Sequence, residues 1–219
     1  MLRLWGRTSS INVRKVMLCA QVLGLDMERT NAGMAYGIVN TAEYRLKNFN
    51  GLIPLLEDGE YVLWESNAIV RYLCARWAQT PSHPAADGSL PQGDWYPSDL
   101  HKRFDAERWM DWQQTTLNPE SGAAFLQWIR TPEAQRDAGV IAASVAATEP
   151  LFAQLDGHLA HHEFLAGEQL TMADIPIACE VHRWFGLPQA RPSWPHLERW
   201  YARWLSLPAS RGVLDLPLS

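Results

Sequence analysis

The segment Thr8-Ser9-Ser10-Ile11-Asn12 sets three hydroxyls and an amide just ahead of an apolar, helix-spaced stretch. Donors at a helix start can hold an anion, because they and the positive end of the helix dipole act in the same direction. Ser and Asn are equally favoured there as ordinary caps, so residue type alone leaves catalysis and capping both open. Glu65-Ser66 opens a second apolar-periodic stretch, where an acidic residue beside a hydroxyl would also suit a plain helix start. His158, His161 and His162 have the i, i+3, i+4 spacing of a metal site, but no carboxylate or Cys motif completes a shell, and they read as surface histidines. No Gly-rich nucleotide loop, Gly-x-Ser-x-Gly or His-Glu-x-x-His occurs, so nucleotide, serine-hydrolase and zincin chemistry have no support.

The elements that must position the two helix starts are legible. Leu2-Arg3-Leu4-Trp5 alternates as a short strand, and Gly6 to Ser10 is a polar loop. Val13, Val16, Met17, Ala20 and Leu23 recur at helical spacing until Gly24. A second strand is expected over 27–30 and a weak helix over 41–47. Residues 52–57 and 61–64 flank Asp58-Gly59 as a hairpin, and a helix over 66–77 starts at a Ser cap. The first 80 residues therefore read βαβ followed by ββα. Residues 81–98, rich in Pro, Gly and small polar groups, read as a linker. Over 99–219 the strand signals vanish, and helices are expected over 100–117, 132–161, 172–184 and 194–205. Thr131-Pro132 suits the start of the second of these, and Pro150 should kink or divide it.

The 219 residues, 47% of them hydrophobic, can bury a real core. Net charge −5 with no basic block gives no footprint for nucleic acid or an anionic membrane. No uninterrupted apolar stretch reaches bilayer-spanning length and the start lacks a signal-peptide layout, so a cytoplasmic protein is expected. Cys19, Cys74 and Cys179 are odd in number and far apart, as buried thiols in a reducing compartment would be. Of eleven tryptophans, Trp109, Trp112, Trp184, Trp200 and Trp204 sit in helical segments and should mostly be core.

A small α/β unit followed by an all-helical domain resembles the soluble glutathione transferase family. Ile53-Pro54 matches the family's Val-Pro or Ile-Pro step, Glu65-Ser66-Asn67-Ala68-Ile69 its Glu-Ser-x-Ala-Ile sequence, and the segment from Leu165 to Asp174 its capping box and local turn. Pro195-His196-Leu197-Glu198-Arg199-Trp200 is similar to its Pro-x-Leu-x-x-Trp segment. Two departures are Asn48-Phe49-Asn50-Gly51, where the family has Asn-Pro-x-Gly, and Leu52, where Lys or Gln is common.

The resemblance implies a thioredoxin-like N-terminal domain, a helical C-terminal domain, glutathione as co-substrate, no metal, and a homodimer. It implies a cis Ile53-Pro54 bond, with the Ile53 backbone, Pro54 and Asn50 beside the peptide and with Glu65 and Ser66 on the γ-glutamyl end, whose amino group needs an acid and whose carboxylate suits a helix start. Counting back from Arg14 places Ser10 where the theta, delta and phi-like classes carry an activating Ser, and Asn12 where nu-like classes carry a functional Asn. A free thiol of pKa ~8.5 is only a few per cent ionised at neutral pH. A charge-assisted hydrogen bond of about 1.5 to 3 kcal/mol, with roughly 0.3 to 1 from the helix dipole, could lower that pKa by about one to three units. No Tyr or Cys lies in this loop, which argues against Tyr-dependent and thiol-exchange classes. By location, Trp5, Arg7, Trp109, Trp112 and Gln113 are candidates for an electrophile pocket. The expected function is attack of the activated thiol on a small hydrophobic electrophile. Alternatives are a relative that uses the conjugate differently, including a dehalogenase, ether-cleaving enzyme, isomerase or nu-like disulfide reductase and peroxidase, and a non-catalytic glutathione-binding module.

Overall fold

The computed structural model describes residues 1–77 and 93–219. The chain opens with β1 (Leu2–Trp5), α1 (Ile11–Val22), β2 (Met27–Thr30), α2 (Ala42–Lys47), β3 (Leu55–Asp58), β4 (Tyr61–Trp64) and α3 (Ser66–Trp77). The strands form one sheet in the order β2-β1-β3-β4, with β1 parallel to β2 and antiparallel to β3, and β3 antiparallel to β4. Strand alternation divides the side chains between two faces. Leu2, Leu4 and Leu56 bury against Val13, Val16, Ile69 and Leu73 of α1 and α3. Trp5 points the other way and sets its ring edge-on to Tyr44 of α2, 6.3 Å between centroids. This is the expected βαβ-ββα unit.

The helical part comprises α4 (Leu100–Trp112), α5 (Asn118–Phe125), α6 (Ala138–Leu159), α7 (Asp174–Phe185) and α8 (Pro195–Ser206). Helix α4 was expected to end at residue 117; instead, backbone in the α region continues through two π-turns, Gln113–Leu117 and Leu126–Arg130, so 100–130 is one helical run. Pro119 has no N–H to return to residue 115, and a widened turn just before it absorbs that loss. The sequence reading missed α5 because Asn118-Pro119-Glu120-Ser121-Gly122 has a stop-like composition.

Helix α6 does not start at Thr131-Pro132. Those residues lead into a short 3-10 turn, and Asp137 caps α6 by accepting from Gly139 N at 2.8 Å and Val140 N at 3.1 Å. Pro150 lies inside α6 without dividing it. By length and composition alone α6 is apolar enough to cross a membrane, yet it packs Phe152, Leu155 and Leu159 into the core as an ordinary amphipathic helix does.

The expected linker falls partly on residues 78–92, outside the described residues. Its described end is not free chain: Gly93 bridges Leu170, Trp95 is buried, and Trp95 O accepts Met172 N at 3.1 Å. Trp184, Trp200 and Trp204 are core, as expected. All three cysteines are free and buried, with Cys19 Sγ 3.6 Å from Cys74 Sγ between α1 and α3.

Candidate functional site

The chain leaves β1 at Gly6, whose φ of +155° and position 2.4 Å short of Val13 Cγ2 leave no room for a Cβ. A turn follows in which Ser10 N donates to Arg7 O at 3.2 Å. Two guanidiniums clamp it from outside: Arg14 Nε donates to Thr8 O at 2.7 Å and Arg130 Nη2 to Ser9 O at 3.1 Å. Ser10 then takes the N-cap position of α1 in extended conformation (φ −92°, ψ 123°), but its hydroxyl makes no capping bond. Among the described residues Ser10 Oγ bonds nothing. One turn on, Asn12 Oδ1 accepts from Ser66 Oγ at 3.2 Å, which joins the two helix starts and leaves the Asn12 amide N–H groups uncommitted.

Ser66 is therefore not the cap that the sequence suggested. It is the first residue of α3, and the preceding Glu65 takes the capping position with its carbonyl accepting from Ile69 N at 2.9 Å. Glu65 has φ +73°, a conformation an L side chain adopts at a cost of about 1 to 3 kcal/mol. Its carboxylate is exposed and forms no ion pair among the described residues.

The Ile53-Pro54 bond is cis, as the resemblance implied. Leu52 O accepts from Tyr44 Oη at 2.7 Å and from Asn48 Nδ2 at 2.9 Å, so the residue before the step is held from α2 and its C-cap. Burial pushes the Tyr44 phenol up to about 12, which keeps it a donor. The loop that departs from Asn-Pro-x-Gly still turns, because Asn48 Oδ1 accepts from Asn50 N at 3.1 Å and Gly51 N donates to Asn48 O at 3.0 Å. Asn50 is exposed, with its amide on Asn48 Oδ1 at 3.2 Å. Ile53 N–H and C=O make no hydrogen bond among the described residues.

Of the electrophile-pocket candidates, only Arg7 lies at this loop. Trp5 is on the far side of the sheet under α2, with Lys47 Nζ over its ring at 5.6 Å. Trp109 and Trp112 project from the other side of α4 and line a separate apolar cavity of about 240 Å³ with Arg108 and Gln154. Gln113 is wholly buried between Lys15 and Glu180. The five candidates thus lie in four separate places, and for those on α4 sequence alone did not say which face meets the first domain. Across from the loop, Phe125, Cys179 and Arg183 with Leu218 of the C-terminal tail close on Ser9, Ile11 and Arg14, leaving a space of about 10 Å³.

Charge at the domain seam is concentrated and sorted. Lys15, fully buried, donates to Gln113 Oε1 at 2.7 Å and to Gln114 Oε1 at 3.1 Å. Gln113 Nε2 donates to Glu180 Oε2 at 2.9 Å, and Asn67 Nδ2, beside Ser66, donates to Met110 O at 2.8 Å. Desolvation pushes Lys15 down to about 8, opposed by the Glu180 charge. Arg183 pairs with Glu180, while burial lowers the pKa of Arg7, Arg14 and Arg130, with Arg130 further disfavouring the charge on Arg7. Arg130 and Lys15 were missed by sequence reasoning. Lys15, a charge between Val13 and Val16 on an apolar helix, was the available signal. His158 and His162 stack 4.1 Å apart and line a cavity of about 550 Å³ with Asp105 and Arg108, remote from the loop. No group of three metal-ligating side chains occurs among the described residues.

Comparison with known proteins agrees with this geometry. Residues 1–75 match the family model described as glutathione S-transferase, N-terminal domain, and residues 116–208 match glutathione S-transferase, C-terminal domain. The chain is 38% identical to glutathione S-transferase GstB of Escherichia coli K12 over the whole of both chains. A crystal structure of a theta class glutathione S-transferase from Xanthomonas axonopodis pv. citri with glutathione bound superposes with TM-score 0.90 at 39% identity, covering 100% of this chain and 99% of that one. A more distant relative is elongation factor 1-gamma 1 of Oryza sativa subsp. japonica, 27% identical over 93% of this chain and 46% of that protein. The chain belongs to the glutathione S-transferase family.

Proposed function

We infer that the protein ionises the thiol of glutathione at the first loop and delivers the sulfur to a small electrophile between the domains. The observation that carries this reading is the pair of uncommitted donors, Ser10 Oγ and the Asn12 amide, at the start of α1. Hydrogen bonds to the charged form of a thiol favour that form, and the guanidiniums of Arg14 and Arg130 on the loop carbonyls add positive potential. The free Ile53 N–H and C=O suit the cysteinyl backbone of the peptide, next to Pro54. Exposed Glu65 suits the γ-glutamyl amino group, and Ser66 with the N-terminus of α3 suits its carboxylate. Asn50 at the loop edge suits the glycyl end.

The activated thiolate attacks an electrophilic carbon, and the leaving group departs to solvent with the electron pair of the bond that breaks. No metal enters this scheme. Exposed Phe49 and Leu52 beside the cis step, with exposed Leu100 and Phe104 on α4, support a homodimer, and the three free thiols suit the cytoplasm. A glutathione-dependent disulfide reductase would use the same donors, and the Asn12–Ser66 contact favours Asn12 as its sulfur donor. Turnover of chlorodinitrobenzene against hydroxyethyl disulfide separates the two. The primary test is ultraviolet thiolate absorbance of bound glutathione against pH in wild type, Ser10→Ala and Asn12→Ala. A bound pKa well below the free value, restored upward in one variant, identifies the donor. An unshifted wild-type pKa with retained binding would replace the enzyme reading by a binding module.

A further inference from the structure

Most arginines at the domain seam are engaged. Arg14 bonds the carbonyls of Thr8, Leu216 and Pro217, Arg183 bonds Glu180, and Arg71 bonds Glu107 and Asp111. Arg7 and Arg130 are engaged least. Among the described residues neither forms an ion pair, Arg7 Nε is buried without a hydrogen-bond partner, and Arg130 uses one nitrogen only, on Ser9 O, whereas Arg14 holds three carbonyls. The two come from opposite domains, one from the first loop and the other from the second π-turn; Arg130 reaches Ser9 O, two residues on from Arg7, and its charge disfavours that of Arg7. Both side chains are half-buried, and neighbouring like charges without a counter-ion disfavour one another, an arrangement that is accounted for when a ligand brings the negative charge.

We propose that Arg7 and Arg130 form a carboxylate seat on the acceptor side of the first loop, so that the electrophiles this protein favours carry an anionic group near the reacting carbon. The proposal rests on the thiol lying at Ser10 and Asn12, and specifies the acceptor class of that same site. A planar guanidinium holds a carboxylate through paired N–H groups, which fixes orientation as well as attraction. Phe125, whose ring lies 5.5 Å from the Arg130 guanidinium carbon, provides an apolar wall for the rest of the acceptor. Glutathione has a carboxylate of its own at the glycyl end, so the test must separate the two sources.

A matched pair of acceptors does so: 4-chloro-3,5-dinitrobenzoate and 4-chloro-3,5-dinitrobenzamide. In each the glutathione sulfur bonds to the chlorinated carbon, chloride leaves with the carbon–chlorine electron pair, and the thiol proton passes to the buffer. Each kcat/KM is divided by its uncatalysed rate constant, because the carboxylate activates the ring less than the amide does. The expected wild-type preference for the benzoate is about tenfold or more, falling at least about tenfold in Arg7→Gln and in Arg130→Gln. The ratio cancels any loss of thiolate common to both acceptors. A wild type with no preference overturns the proposal. So does a preference that survives in both variants while KM for glutathione rises, since that assigns the arginines to the peptide's own carboxylate. Dissociation constants of the unreactive 3,5-dinitrobenzoate and 3,5-dinitrobenzamide, measured by calorimetry with glutathione present, give the same comparison without turnover. Loss of conjugation with a retained benzoate preference in binding would count against the thiol site and not against the seat.

Discussion

Two helix starts in this molecule are built from the same kinds of residue and used in opposite ways. At the start of α7, Asp174 is fully buried and its carboxylate accepts from Leu165 N, Thr171 N, Thr171 Oγ1 and Trp200 Nε1 at 2.9 to 3.2 Å. At the start of α1, the Ser10 hydroxyl sits in cap position and bonds nothing among the described residues. Thr41, Asp99 and Asp137 also spend their side-chain oxygens, in their case on backbone N–H groups of their own helices. A cap residue that serves the fold is recognised by that engagement. The start of α1, with idle donors and a neighbouring non-glycine residue at φ +73°, lacks that engagement, as the proposed thiol site requires.

The sharpest way to break the comparison is to remove one side chain from each start. Asp174→Ala strands four buried donors at once, and the expected loss is about 3 to 5 kcal/mol, read as a fall in the urea midpoint, with activity per folded molecule retained. Burial pushes Asp174 up to about 6 while its four donors pull the other way, so Asp174→Asn should recover only part of the loss. A midpoint unchanged in Asp174→Ala would mean that this network is decorative. Ser10→Ala and Asn12→Ala should show the reverse pattern. Their midpoints should move by less than about 0.5 kcal/mol, while kcat/KM for glutathione conjugation drops by about tenfold to a hundredfold in the variant that loses the sulfur donor.

How much of this could be read in the sequence follows from the same contrast. The βαβ-ββα unit was legible because strand alternation, Asp58-Gly59 and the helical spacing from Val13 are local signals. Helix α5 was not, because a π-turn accommodates Pro119 by a backbone adjustment that composition does not encode. The motifs placed Ser10, Asn12, Ile53 and Glu65 around one loop, yet could not decide between cap and catalyst, since that depends on which bonds Ser10 leaves unmade. The pocket candidates were chosen by location along the chain, and Trp109 and Met110, neighbours in sequence, face about 100° apart around α4, with Met110 O held by Asn67 of the first domain and Trp109 against His158 of α6. Arg130 required the second π-turn to be known before it could be placed over Ser9.

Between the two starts lies the buried Lys15, and its charge gives a pH test of the seam. The folded-state pKa of about 8 is below the ordinary 10.5, so below pH 8 both folded and unfolded chains hold the proton. Between 8 and 10.5 the unfolded chain binds more protons than the native one, and stability attributable to Lys15 rises with pH. Relative to Lys15→Met, the wild type should therefore gain about 2 kcal/mol in urea unfolding free energy between pH 7 and pH 9.5. A difference that stays flat across this window would show that Lys15 reaches water and does not serve as a buried pin between α1 and the Gln113 π-turn.

The smallest expected effect concerns Glu65, where backbone and side chain can be tested separately. Glu65→Gly removes the carboxylate and suits φ +73°; Glu65→Ala removes the same carboxylate but retains a Cβ in that conformation. Both should weaken glutathione binding by about tenfold, measured by calorimetry, because the γ-glutamyl amino group loses its acidic partner. Only the Gly variant should gain stability, ending about 1 kcal/mol above the Ala variant in spite of its greater unfolded-state entropy. Equal midpoints would remove backbone strain from the account of this site. Unchanged glutathione affinity in both variants would move the amino group away from Glu65, leaving the α3 start as a cap like those at Thr41 and Asp99.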